Sequence, residues 1–189
     1  MGREFELKFS ATPQQLTEIE KNWENWVDFS METTYFDTLD SILSNQNCTL
    51  RHRRENGCSV CTLKTPISSF GRGEWDAWAP WNAQTVSALF DAAKLPAITF
   101  SSLTAVCGAR FHRRAATVEL TDSTVEIALD EGVLLGGGKE IPLCEVEVEL
   151  KSGEEASAVA FAQALAEHYG LQPETRSKFR RALALRRGE

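Results

Sequence analysis

Polar and apolar residues alternate along most of this 189-residue chain. In the opening stretch EFELKF, an extended backbone puts Glu4, Glu6 and Lys8 on one face and Phe5, Leu7 and Phe9 on the other. The same period of two recurs at residues 27–38, 50–55, 58–65, 72–79, 103–114, 115–121, 125–130 and 144–151. Asn56-Gly57 joins two of these segments and is a strong hairpin signal. Asp122-Ser123 predicts a further turn, and 66–71 and the glycines 136–138 predict loops. Helical spacing is rarer. Thr12-Pro13 reads as a cap and first turn ahead of a stripe through Leu16, Ile19 and Trp23. Segments 83–93 and 154–168 also read as helices, the second closed by Gly170, and a basic helix is expected over 174–186. Strands at short spacing with few helices predict one α+β domain over residues 1–189: a mainly antiparallel sheet or barrel with helices packed outside.

The strand parities carry the chemistry. Arg51 and Arg53 share a face, as do Thr62 and Lys64, then Arg72, Glu74 and Asp76, then Glu126 and Asp130. Arg113 and Glu119 lie opposite Val118 and Leu120, and Glu145, Glu147, Glu149 and Lys151 form a charged row backed by Val146, Val148 and Leu150. Acids gather on the first and last strands and bases on 50–55. Such segregation suits strands that face one another across a closed barrel with a charged lumen. A polyphosphate carrying divalent cations would satisfy both signs. Periodicity alone leaves an open sheet with its polar face in water as the alternative.

A net charge of −7 argues against nucleic acid or an anionic membrane as the main partner. No apolar run approaches the roughly 18 residues needed to span a bilayer. Arg3, Glu4 and Glu6 do not fit a signal peptide, and five scattered cysteines suit reduced thiols, so a cytoplasmic protein is expected. Cys58 and Cys61 fall on opposite faces of one strand, with no second pair at zinc spacing. His52 and His112 point away from the charged face by parity, and Trp75, Trp78 and Trp81 are read as packing residues.

Nine motifs in order resemble the CYTH proteins, also called triphosphate tunnel metalloenzymes. They are Glu4-x-Glu6-x-Lys8, Tyr35-Phe36-Asp37-Thr38, Leu50-Arg51-x-Arg53, Thr62-Leu63-Lys64, Arg72-x-Glu74, Phe111-x-Arg113, EIALD at 126–130, CEVEVE at 144–149 and Ser177-Lys178-Phe179. The stretches from Phe111 onward look most like the bacterial inorganic triphosphatase branch. That branch often carries a helical CHAD domain, which is not in this chain, so a stand-alone or excised domain is expected. The resemblance implies a closed eight-stranded antiparallel tunnel that hydrolyses tripolyphosphate to pyrophosphate and phosphate with Mg²⁺ or Mn²⁺, two ions in the active complex. It implies Glu4, Glu6, Glu145 and Glu147 as metal ligands. Lys8, Arg51, Arg53, Lys64, Arg72, Arg113 and Lys178 would hold phosphate, and Lys8, Glu74, Asp130 and Arg113 would form the catalytic set. A thiamine or nucleoside triphosphatase, an adenylate cyclase of this fold and a non-catalytic polyphosphate-binding module are the alternatives. The later arginine departs from the usual pattern, which leaves Arg110 and Arg113 as rivals for the inward position.

Overall fold

The computed structural model describes residues 2–3, 5–68 and 71–189, with side chains for all of these except 2, 3, 67, 68, 71 and 72. Glu4, expected to bind metal, therefore lies outside the described residues, as does the side chain of Arg72.

One antiparallel sheet organises the chain. Its strands are β1 (Gly2–Arg3), β2 (Glu6–Ser10), β3 (Val27–Asp37), β4 (Thr49–Glu55), β5 (Cys58–Ser68), β6 (Gly71–Ala77), β7 (Thr104–Glu119), β8 (Ser123–Gly136), β9 (Lys139–Gly153) and β10 (Gln172–Pro173). The helices are α1 (Pro13–Glu20), α2 (Ile42–Asn45), α3 (Ala83–Ala92), α4 (Glu155–Tyr169) and α5 (Lys178–Arg187), with a 3₁₀ turn at Phe100–Ser102. The mainly antiparallel α+β architecture agrees with expectation. The expected closed ring of eight does not: among the described residues ten strands pair in the linear order β1-β6-β5-β4-β3-β7-β8-β9-β2-β10. The N-terminal segment meets the two margins in separate pieces, Gly2–Arg3 on β6 and Glu6–Ser10 on β9.

Local chemistry explains most elements. Thr12 and Gln15 form a reciprocal capping box, so α1 begins where Thr12-Pro13 predicts. Asn56 and Gly57 both take positive φ (49° and 83°), the backbone that a two-residue hairpin needs. Gly137 and Gly138 do the same (59° and 76°), pairing Gly136 with Lys139. The expected glycine loop is thus a tight turn, and β8 and β9 run longer than their expected segments. The break expected near 114–115 is absent as well. Arg114-Ala115-Ala116 contains no turn former, and β7 keeps unbroken register with β8 from Gly108↔Leu135 to Glu119↔Thr124.

The outward faces bury two apolar clusters. Ile127, Leu129, Val146 and Val148 pack under α1 and α4, through Leu16, Ile19, Ala158 and Leu165. Leu50, Cys61 and Leu63 pack under α3, through Val86, Leu89 and Phe90. The last helix breaks the expectation that helices pack only outside. Ala182 of α5 is buried with Met31, Ala109, Phe111, Leu134 and Leu143, which share strand parity with the inward charges. Their apolar side chains form an uncharged half of the concave face, and α5 covers it.

Candidate active site

The remainder of the concave face encloses a cavity of ≈ 850 Å³. Of the expected site residues, the structure brings Glu6, Lys8, Arg51, Arg53, Lys64, Glu74, Arg113, Glu147 and Lys178 onto its wall. Alternation delivers them: each is an inward residue of its strand, except Lys178, which opens α5 after the Ser177 cap. Register settles the rivalry between the two arginines. Arg113 stands opposite Asp130 on β8, whereas Arg110 is exposed and pairs with Glu140. His112 meets Asp28 at the surface, and His52 stacks on Trp81, both away from the cavity.

Charge pairing divides the wall into two regions. On β4–β6, Glu74 lies between Arg51 at 3.3 Å and Lys64 at 3.4 Å. On β7–β9, Arg113 grips Asp130 with two 2.7 Å bonds and also meets Glu147. Lys178 Nζ donates to Asp130 (2.7 Å), Glu147 (2.8 Å) and Glu145. Burial would raise the Asp130 carboxyl, but Arg113 and Lys178 hold it well below the usual range. Burial dominates at Glu147, pushing it up to about 7 with help from Glu6 and Asp130 against Arg113. Burial likewise brings Lys178 down to about 7, despite Asp130. At Glu6 burial is outweighed by Lys8, 2.7 Å away, and by Lys64, and its carboxyl falls to about 2.

Arg53 has a different environment. It is 8% exposed, and among the described residues it forms no ion pair; its Nε donates to Thr33 at 3.0 Å. Burial and the neighbouring Arg51 and Arg113 lower it to about 10. Arg53, Arg113 and Lys178 stand 5.8, 5.9 and 5.1 Å from the Phe111 ring, a shared cation–π contact. Phe111 appeared in a sequence motif, but its role depends on cations from three other positions.

The acids are arranged differently from the expected set. Glu145 is fully buried beneath Lys178 and Arg181, off the cavity wall, as is Asp130. Glu149 and Glu126 reach the wall instead. In the ladders Glu6 stands opposite Glu149, and Glu149 opposite Glu126, so three carboxylates line up across β2, β9 and β8. Like charges directly opposite repel; Lys151 offsets part of this, 2.8 Å from Glu149 and 3.2 Å from Glu126. An all-oxygen, crowded acidic set suits a hard divalent cation. Asp130, Glu145 and Glu147 also bring ligand atoms within 4.8 Å of one another, but Lys178 already bonds to all three. Trp75 and Trp81 pack in the α3 cluster as expected, whereas Trp78 is 67% exposed and lines the cavity.

An antiparallel sheet curled around opposed basic and acidic walls defines the class, and comparison with known proteins agrees. The CYTH domain family matches residues 2–183, and the chain belongs to that family. The inorganic triphosphatase of Haemophilus influenzae is 31% identical over 179 residues, covering 87% of this chain and 50% of that protein. The chain therefore spans about half the length of that relative. Among solved structures, the PH1819 protein of Pyrococcus horikoshii OT3 is similar in fold (TM-score 0.65, 23% identity, covering 97% of this chain and 99% of that one). HpAC1 of Hippeastrum is another (TM-score 0.64, 17% identity, covering 98% and 96%).

Proposed function

We propose that this domain hydrolyses inorganic triphosphate to pyrophosphate and phosphate along its concave wall, with a divalent cation, Mg²⁺ or Mn²⁺. The observation that carries the reading is Arg53, a buried guanidinium on the cavity wall, flanked by Arg51 and Arg113, with no carboxylate paired to it among the described residues. Such a group favours an anionic ligand, and a chain of phosphates matches a row of cations from Lys8 to Lys178. The activity carried by the Haemophilus influenzae relative and the dominant triphosphatase activity reported for HpAC1 support the same reading.

Each residue has a part. Arg51, Arg53, Lys64, Arg113, Lys178 and Lys8 would bind successive phosphate oxygens, joined by Arg72. Asp130 orients Arg113 and Lys178, and Glu74 orients Arg51 and Lys64. Glu6, Glu147, Glu149 and Glu126 would hold the cation, with Glu4 on the same parity as Glu6. Held there, a divalent cation would supply charge neutralisation at the phosphate oxygens and a lowered pKa for a water. Positioning and charge stabilisation of this kind suffice for phosphoryl transfer. Five cysteines scattered along the sequence suit reduced thiols, and we assign the domain to the cytoplasm; no helix among the described residues is long and apolar enough to cross a membrane.

Phosphate release from tripolyphosphate tests the proposal, with Mg²⁺, Mn²⁺ and EDTA in parallel. Release with either ion and none in EDTA is expected. Binding of tripolyphosphate without release under any condition would replace the hydrolase by a polyphosphate-binding module.

A further inference from the structure

Glu145 belongs by parity to the row of Glu147 and Glu149, yet it does not reach the cavity. Its side chain is 0% exposed, and both carboxylate oxygens are engaged: Oε1 by Lys178 and Oε2 by Arg181. Those two donors sit three residues apart on α5, so they share a helix face. The strand neighbours of Glu145 are Ser10 on β2 and Asp130 on β8. A cation ligated by Glu145 would have to displace an ammonium and a guanidinium that already neutralise it, in a place the cavity does not open onto. Lys178, by contrast, touches both Glu145 and the cavity, and it also meets Asp130, Glu147 and the Phe111 ring.

The geometry points to Glu145 as a positioning residue rather than a metal ligand: it clamps α5 through Lys178 and Arg181 and so fixes the Lys178 ammonium at the point where the cavity receives a phosphate. This rests on the triphosphate reading above. A buried ion cluster that loses one carboxylate leaves its cations uncompensated, and they move to find new partners. Simple removal of a negative charge would tighten binding of an anion. Lost positioning does the opposite, which separates the two effects.

Calorimetric titration of metal-free protein provides the test, with Mn²⁺ alone and with tripolyphosphate in EDTA as probes. Glu145→Gln should leave the Mn²⁺ Kd within about twofold while weakening tripolyphosphate by about tenfold or more. Glu149→Gln should show the reverse emphasis, losing about tenfold in Mn²⁺ affinity. In a Lys178→Met background, adding Glu145→Gln should cost tripolyphosphate binding less than twofold, because a residue that acts through Lys178 has nothing left to position. Should Glu145→Gln fail to fold by near-ultraviolet circular dichroism, Arg181→Met read in the same two backgrounds loosens the same clamp and should show the same dependence on Lys178. A tenfold loss of Mn²⁺ affinity in Glu145→Gln, or equal losses of tripolyphosphate affinity with and without Lys178, would overturn the role given to Glu145 alone. Wild-type protein that binds no tripolyphosphate would instead overturn the triphosphate reading, and this inference with it.

Discussion

Arg53 and Glu147 are both buried ionisable groups on the cavity wall, and burial acts on them in opposite directions. Arg53 stays charged beside two other cations, so its contact with an anion should be strong. Charge-assisted hydrogen bonds contribute roughly 1.5–3 kcal/mol, and ~1.4 kcal/mol is tenfold in rate. Arg53→Ala should therefore lower kcat/KM for tripolyphosphate more than tenfold. Arg53→Lys should recover part of it, since an ammonium keeps the charge but loses the fork. Equal losses in the two variants would mean that Arg53 matters for packing against Phe111. Glu147 gives a pH signature. Its carboxyl titrates near 4.5 when unfolded and about 7 when folded, so between those values the folded state binds the extra proton and stability falls as pH rises. Glu147→Gln is neutral throughout. In EDTA, its melting temperature relative to wild type should climb from pH 4.5 to 7 and then level. A flat difference would show that Arg113 and Lys178 keep Glu147 ionised.

Elements with local causes matched their sequence signals: the α1 capping box, the Asn56-Gly57 hairpin and the Gly170 stop of α4, which adopts a left-handed φ of 66°. Helix α5 did not declare its side of the sheet. The sequence predicts a basic helix packed outside like the others, yet Ala182 packs on the concave face because Ala109, Leu134 and Leu143 leave an apolar patch there. Gly136 lets it approach: an added Cβ would sit 2.3 Å from the Ala182 carbonyl oxygen and 2.8 Å from the Arg186 nitrogen. Overpacking of this kind costs about 1–3 kcal/mol. Gly136→Ala should lose that much in urea unfolding and should also weaken tripolyphosphate binding, because Lys178 rides on α5. Unchanged affinity alongside lost stability would mean that the turn, rather than the helix, gives way.

At the scale of the whole molecule, curling of the sheet turns rows of charge into a wall that a bare triphosphate can touch along its length. A nucleoside or thiazolium group adds no anionic oxygen for those cations to grip, so tripolyphosphate should exceed ATP by at least about tenfold in kcat/KM, about 1.4 kcal/mol of transition-state stabilisation. Trp78 is the exposed aromatic on the cavity lining. Equal or better use of ATP, abolished by Trp78→Ala, would show that it stacks on the organic group. Alternation by itself determined which residues share a face, because the period of two is a property of the extended backbone. It thereby named the strand-borne cations on the wall, whereas Lys178 and Arg180 come from α5. Which acids reach the cavity was decided by the tertiary structure. Glu145, Glu147 and Glu149 are equivalent in an isolated strand, and only the docking of α5 across β7 and β8, which brings Lys178 and Arg181 onto Glu145, buries the first and leaves the others to the cavity. Strand count and closure were likewise beyond local pattern, since the pairing of Gly2–Arg3 with β6 and of Glu6–Ser10 with β9 depends on partners distant in sequence.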